Sequence, residues 1–197
     1  MVLTKKEVED VIASHDSFVK LDKLKRLLPL ADSLDIKKFV LLKLAEVNES
    51  KNFLSEAAKH IEAAAEMSLT PKEKIELFMK EAEILVKGEH FEMSDKTFAK
   101  AAHCSQSIME KARLQERYFG FYSSYGGLLE SQGKHRKAID IFQRLYTLPV
   151  MPEQKAKLKD KLLELYSKTG RMTDYNRLMN IPDYSSARKS SFEMKMR

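Results

Sequence analysis

Apolar residues recur along this chain at intervals of three and four, the period of a helix with one buried face, and runs that alternate apolar with polar, as half-buried strands do, are absent. The helical runs are interrupted at Asp16, Asn52, Gly88, Gly133 and Gly170, residue types that leave the helical conformation readily. Successive breaks lie 36, 36, 45 and 37 residues apart. That is close to the length of one helix, a tight turn and a second helix, the signature of stacked helical hairpins. Pro71 follows Asn52 by 19 residues and Pro152 follows Gly133 by the same 19. Both suit the first turn of a helix, where a missing N–H leaves nothing unsatisfied. Thr70 and Glu73 flank Pro71 as a capping box with Thr70 at the N-cap.

The pattern predicts an all-α chain of ten helices in five antiparallel pairs: 4–14 and 17–31, 36–50 and 54–67, 71–87 and 94–106, 109–132 and 135–147, 152–168 and 173–180. The long interval between Gly88 and Gly133 is absorbed by extending the seventh helix over 109–132. The repeat domain is expected over 1–182. The serine-rich remainder, DYSSARKSSFEMKMR from 183 to 197, has no sustained helical stripe and is expected to be a flexible tail.

The segment YSSYGGLLESQGKHRKAIDIF, Tyr122 to Phe142, places three of the six glycines within eight residues. It carries Tyr122, Tyr125, Gly126 and Leu129 on one helix, Gly133 at the turn, and Ala138 and Phe142 on the next. This arrangement resembles the tetratricopeptide repeat, in which a large aromatic, a small residue four positions on and a second large residue line one helix and Ala-x3-Phe lines its partner. Gly126 is then a notch where the two helices cross, with Ala138 letting the partner backbone approach, and Gly133 supplies a left-handed residue. Looser matches surround Asn52 (Leu41, Leu44, Ala45, Ala57, Ile61, Ala64) and Gly88 (Phe78, Ala82, Leu85, Ser94, Phe98, Ala101). Around Gly170 only Leu162, Leu165 and Tyr166 fit, and Tyr175 stands where a small residue belongs. No feature separates this resemblance from one to the related hairpin stacks of SNAP-type adaptors.

The resemblance implies an α-solenoid of about five hairpins that binds a peptide or partner helix on its concave face. The slots it assigns to that face are Gly120, Ser123, Gly127 and Glu130. Gly127 either admits a ligand or relieves crowding against a neighbouring hairpin, and the two readings carry equal weight. Repeats of this family that hold chaperone C-termini use a Lys/Asn/Arg set; Ser124 and Gly127 stand where asparagines are required, which argues against that ligand class.

Charge sharpens the picture. The net charge is +6, yet residues 110–171 hold 13 Lys/Arg against 7 Asp/Glu, while the rest of the chain is balanced. Lys134, His135, Arg136 and Lys137 begin a helix, where the macrodipole disfavours cations. Such a cluster either sits solvated at a loop, the commoner case, or serves an anion together with free N–H groups. An acidic protein segment is therefore the expected partner at Lys134, Arg136 and Lys137, with RNA as the alternative and self-association as a third outcome. Lys155, Lys157, Lys159 and Lys161 flank the stripe of Leu158, Leu162 and Leu165, as lysine stems covering a core edge do. Tyr118, Phe119, Phe121, Tyr122 and Tyr125 have helical spacing and read as core rather than as a base-stacking platform.

Enzyme signatures fail on inspection. Between Gly127 and Gly133 five residues intervene where a phosphate loop has four, and His135 replaces Ser/Thr. Ser17-Phe18-Val19-Lys20 fits Ser-x-x-Lys without any companion motif. The histidines lack metal-ligand spacing, and no cofactor motif is present. Cys104, the single cysteine, reads as a small buried residue. No apolar run approaches the roughly 20 residues that span a bilayer, and the N-terminal MVLTKKEVEDV has no signal-peptide pattern. The expectation is a non-catalytic adaptor without cofactor or metal, cytoplasmic by default or nuclear.

Overall fold

The computed structural model describes residues 3–14, 16–148 and 151–182. Among these it contains ten α-helices and no strand: α1 Lys5–Ser14, α2 Ser17–Leu27, α3 Leu34–Ser50, α4 Leu54–Glu66, α5 Pro71–Lys87, α6 Phe91–Cys104, α7 Ile108–Ser131, α8 His135–Thr147, α9 Pro152–Lys168 and α10 Met172–Met179. The 183–197 tail lies outside the described residues.

One joint recurs four times. At the end of α3, the Phe53 N–H donates to the Asn48 carbonyl (2.8 Å) and the Asn52 N–H to that of Glu49 (2.9 Å). The pair of bonds defines a Schellman turn closed by a left-handed residue. The same two bonds run from His90 to Leu85 and Glu89 to Val86, from Lys134 to Leu129 and Gly133 to Glu130, and from Arg171 to Tyr166 and Gly170 to Ser167. The left-handed residues are Asn52 (φ 61°), Glu89 (62°), Gly133 (72°) and Gly170 (70°). Gly88, expected in this role, instead has φ −81°. Its lack of a side chain serves packing: a Cβ there would lie 3.1 Å from His90 Cδ2 and 3.4 Å from Leu54 Cβ.

Helix starts follow local chemistry. Thr4 and Glu7 make a reciprocal capping box at α1, with the Thr4 N–H donating to the Glu7 carboxylate (2.8 Å) and the Glu7 N–H to Thr4 Oγ1 (3.3 Å). At α5 Thr70 Oγ1 accepts from the Glu73 N–H (3.2 Å), but the Glu73 carboxylate turns to Lys38 Nζ of α3 (2.7 Å) instead of closing the expected box. Pro29 ends α2 early: without an N–H it cannot extend the ladder, and the chain tightens into a 3-10 turn over Leu28–Leu30.

The chain divides into two compact units, Met1–Tyr118 and Phe119–Arg197. In the first, consecutive helices from α2 to α6 pack on one another. Its core has one cluster around Val8, Leu24, Val40 and Leu44 and another around Ala45, Ala57, Ala58, Ile61, Ile84 and Leu85. Alanines at 57, 58, 64 and 65 let neighbouring helices approach α4 closely. Tyr118 closes this unit, its ring stacked on Phe98 at 4.3 Å and its hydroxyl 2.7 Å from Ser94 Oγ. In the second unit α8 packs on α9 and α9 on α10. Tyr122, Ile139, Leu145, Leu162 and Leu165 are fully enclosed there, each leucine contributing about 1.5–3 kcal/mol by leaving water.

Candidate functional site

The site begins where α7 crosses α8. Tyr122 and Leu129 point into the second unit's core, and Gly126 lies on the same side. A Cβ on Gly126 would stand 2.8 Å from Phe142 Cζ and 3.1 Å from Ile141 Cγ2. The notch exists as expected, but the Phe142 ring and Ile141 fill it rather than the backbone at Ala138.

Gly120, Ser123, Gly127 and Glu130 share another face of α7, at spacings of three and four. A Cβ added at Gly120 or Gly127 meets nothing within 4 Å. Within the second unit a side chain at Gly127 therefore has room. Ser123 is half-buried and Ser124 exposed. Glu130 is engaged: its carboxylate receives Lys161 Nζ of α9 at 2.8 Å and lies 3.6 Å from Lys168 Nζ. Both lysines also reach Glu164, at 3.2 and 2.6 Å. The hydrogen bond to Glu130 holds the Lys161 ammonium above its ordinary range, and that to Glu164 does the same for Lys168. Glu164 is pulled down by Lys168 and then by Lys161.

Three residues beyond Glu130 the chain enters the third Schellman turn, and the cationic cluster opens from it. Gly133, Lys134, His135, Arg136 and Lys137, joined by Thr169 after α9, line an open pocket of about 470 Å³. Lys134 is the N-cap of α8 and supplies no side-chain cap; its ammonium donates to Gln132 Oε1 (2.9 Å). The first-turn N–H groups of α8 and three cationic side chains thus border one hollow, a combination suited to carboxylate or phosphate. Thr169 turns its hydroxyl to the Leu165 carbonyl (2.7 Å). His135 Nδ1 is enclosed and without a hydrogen-bond partner. Lys134, Arg136 and Lys137 therefore share a pocket, whereas Gly120, Ser123 and Gly127 lie along the helix that leads to it.

The lysine strip on α9 is not a uniform fringe. Lys159 is buried and donates to the Ile181 carbonyl (2.6 Å), Lys155 lies over the Tyr146 ring (5.1 Å), Lys161 serves Glu130, and Lys157 is exposed. Of the aromatics expected in the core, Tyr118 and Tyr122 are buried, whereas Phe119, Phe121 and Tyr125 are half-buried. Cys104, the last residue of α6, is half-buried rather than enclosed. Among the described residues no group of His, Cys, Asp and Glu is arranged to hold a metal, and no helix is long and apolar enough to cross a membrane. Thr169 escaped the sequence reading; its only signal is its place immediately before the Gly170 turn residue.

The fold defines an all-α protein whose consecutive helices pack in a repeat-like arrangement. No family model matches the chain, and no curated protein does. Among solved structures it is similar to "Crystal structure of BtubC (BKLC) from P. vanneervenii", at 16% identity over 96% of this chain and 89% of that one, with a TM-score of 0.37. That likeness is too distant to carry a fold or a function across.

Proposed function

We propose that the chain is a tetratricopeptide-like α-solenoid that acts as a non-catalytic adaptor in the cytoplasm. Its partner is a protein segment, peptide or helix, that combines small apolar residues with an acidic stretch. The small residues lie along Gly120, Ser123 and Gly127 of α7. The acidic stretch enters the pocket lined by Lys134, Arg136 and Lys137, while Glu130, clamped by Lys161 and Lys168, fixes the end of α7 between the two. The recurring Schellman joint, the packing of successive helices and the Gly126–Phe142 crossing support the repeat reading. The pocket that gathers three cationic side chains at the start of α8 carries the functional one.

Binding of a labelled peptide of alternating glutamate and alanine, followed by fluorescence anisotropy at low and high salt, tests the reading. The double variant Arg136→Glu/Lys137→Glu should abolish binding, and Gly127→Arg should weaken it with little change at high salt. Full binding by both variants would sink the proposal. A basic region that serves nucleic acid instead would bind single-stranded RNA with a steep salt dependence and ignore Gly127→Arg.

A further inference from the structure

Glu81 lies on α5 with 3% of its surface exposed, among helices that otherwise bury Phe78, Met79, Ala82 and Leu85. Its Oε1 accepts from Thr97 Oγ1 of α6 (2.9 Å), and its Oε2 is enclosed with no partner. The charged groups around it come from each side. From α4 there are Glu62 and Glu66, both adding negative potential. From α6 there is Lys100, whose ammonium is committed to Glu62 at 2.6 Å and lies 5.6 Å from the Phe78 ring centroid. On α7 Arg117 is occupied by Glu76 (2.8 Å) and Glu83 (3.6 Å) of α5.

We propose that Glu81 is a proton-operated latch of the first unit: neutral, it lets α4, α5 and α6 close over it, and ionised, it loosens that junction. The physical basis is the mismatch between a charge and its surroundings. A carboxylate taken from water needs several donors or a cation, and Glu81 has one hydroxyl. To neutralise it, Lys100 would have to leave Glu62, exchanging one orphaned carboxylate for another. Burial accordingly pushes the Glu81 carboxyl up to about 7, against a smaller downward pull from Thr97 and further upward pressure from Glu62. Its folded-state affinity for a proton exceeds that of the unfolded chain, so the stability it contributes is complete below about pH 4.5 and is lost as pH rises through about 7. The latch thus works across neutral pH.

The test is a set of thermal unfolding curves of the full chain between about pH 5 and 8.5, beside the isosteric Glu81→Gln variant. The difference between the two midpoints should shift by roughly 5–10 °C across that range, in the direction of relative loss for the wild type at high pH. His60 titrates in the opposite sense in both proteins and cancels in the comparison. Carbon-detected NMR of the Glu81 carboxyl supplies a readout independent of variant folding and should show its chemical shift moving near neutrality. Parallel unfolding profiles, or a carboxyl already ionised at pH 5, would overturn the proposal.

Discussion

The ring of Phe142 occupies the place of the side chain that Gly126 does not have: a Cβ there would sit 2.8 Å from Cζ. One residue along, Gly127 has no neighbour within 4 Å of the same construction. Two adjacent glycines of one helix are therefore opposite in kind. Gly126→Ala should destabilise the second unit by about 1–2 kcal/mol, the overpacking strain exceeding the helix-propensity gain. Gly127→Ala should stabilise it by about 0.5–1 kcal/mol. Chemical denaturation of the two variants checks the opposite signs.

The four turns give a second ordered expectation. Glu89 bears a left-handed backbone that a glycine would adopt without strain, so Glu89→Gly should be tolerated better than an alanine at either glycine turn. Gly133→Ala and Gly170→Ala should each destabilise by about 1 kcal/mol. Asn52→Gly should change little, because asparagine tolerates this region. Unfolding free energies of the four variants, ranked, test the shared geometry.

Much of this was legible in the sequence for a local reason. Helix ends depend on nearby residues, and Thr70, Pro71, Gly133, Pro152 and Gly170 mark theirs correctly. Where the expectation slipped, local chemistry was overruled. Gly88 is the expected left-handed residue because glycine is the usual choice, yet it packs beside His90 and Leu54 while Glu89 takes that conformation, and α6 starts at Phe91 instead of 94. Of the candidate site, the cationic cluster was visible because it is contiguous. Thr169 was not, because it arrives from another helix. Glu130 read as an open recognition group since its lysine partner lies 31 residues away. Nothing adjacent in the sequence marks Glu81, because Thr97 is 16 residues distant.

Tyr118 anchors a polar chain inside the first unit: its hydroxyl donates to Asp95 Oδ1 (3.0 Å) and lies 2.7 Å from Ser94 Oγ, which itself donates to the Ala82 carbonyl (2.9 Å). Tyr118→Phe keeps the stacking on Phe98 and removes only the hydroxyl. It should destabilise by about 1–2 kcal/mol, and a double-mutant cycle with Ser94→Ala should show coupling between the two positions.

His60 supplies a pH expectation of its own. Burial lowers its imidazole below the ordinary value of 6.5, partly offset by Glu56. The unfolded chain therefore binds the proton more readily, and the stability His60 contributes is present above pH 6.5 and lost as pH falls through its folded value. In a Glu81→Gln background, unfolding free energy should decline on acidification from neutral pH, and His60→Asn should flatten that decline.

The recurring joint also separates what a turn builds from what it shows. Its bonds are all between main-chain atoms, so Lys51-Asn52-Phe53, Gly88-Glu89-His90, Gln132-Gly133-Lys134 and Thr169-Gly170-Arg171 adopt one shape with little chemistry in common. The last residue of each holds out something different: a benzyl ring, an imidazole that meets the Ser55 hydroxyl at 2.8 Å, an ammonium and a guanidinium. Substitution at those four positions can rewrite what the surface offers while leaving the carpentry beneath it untouched.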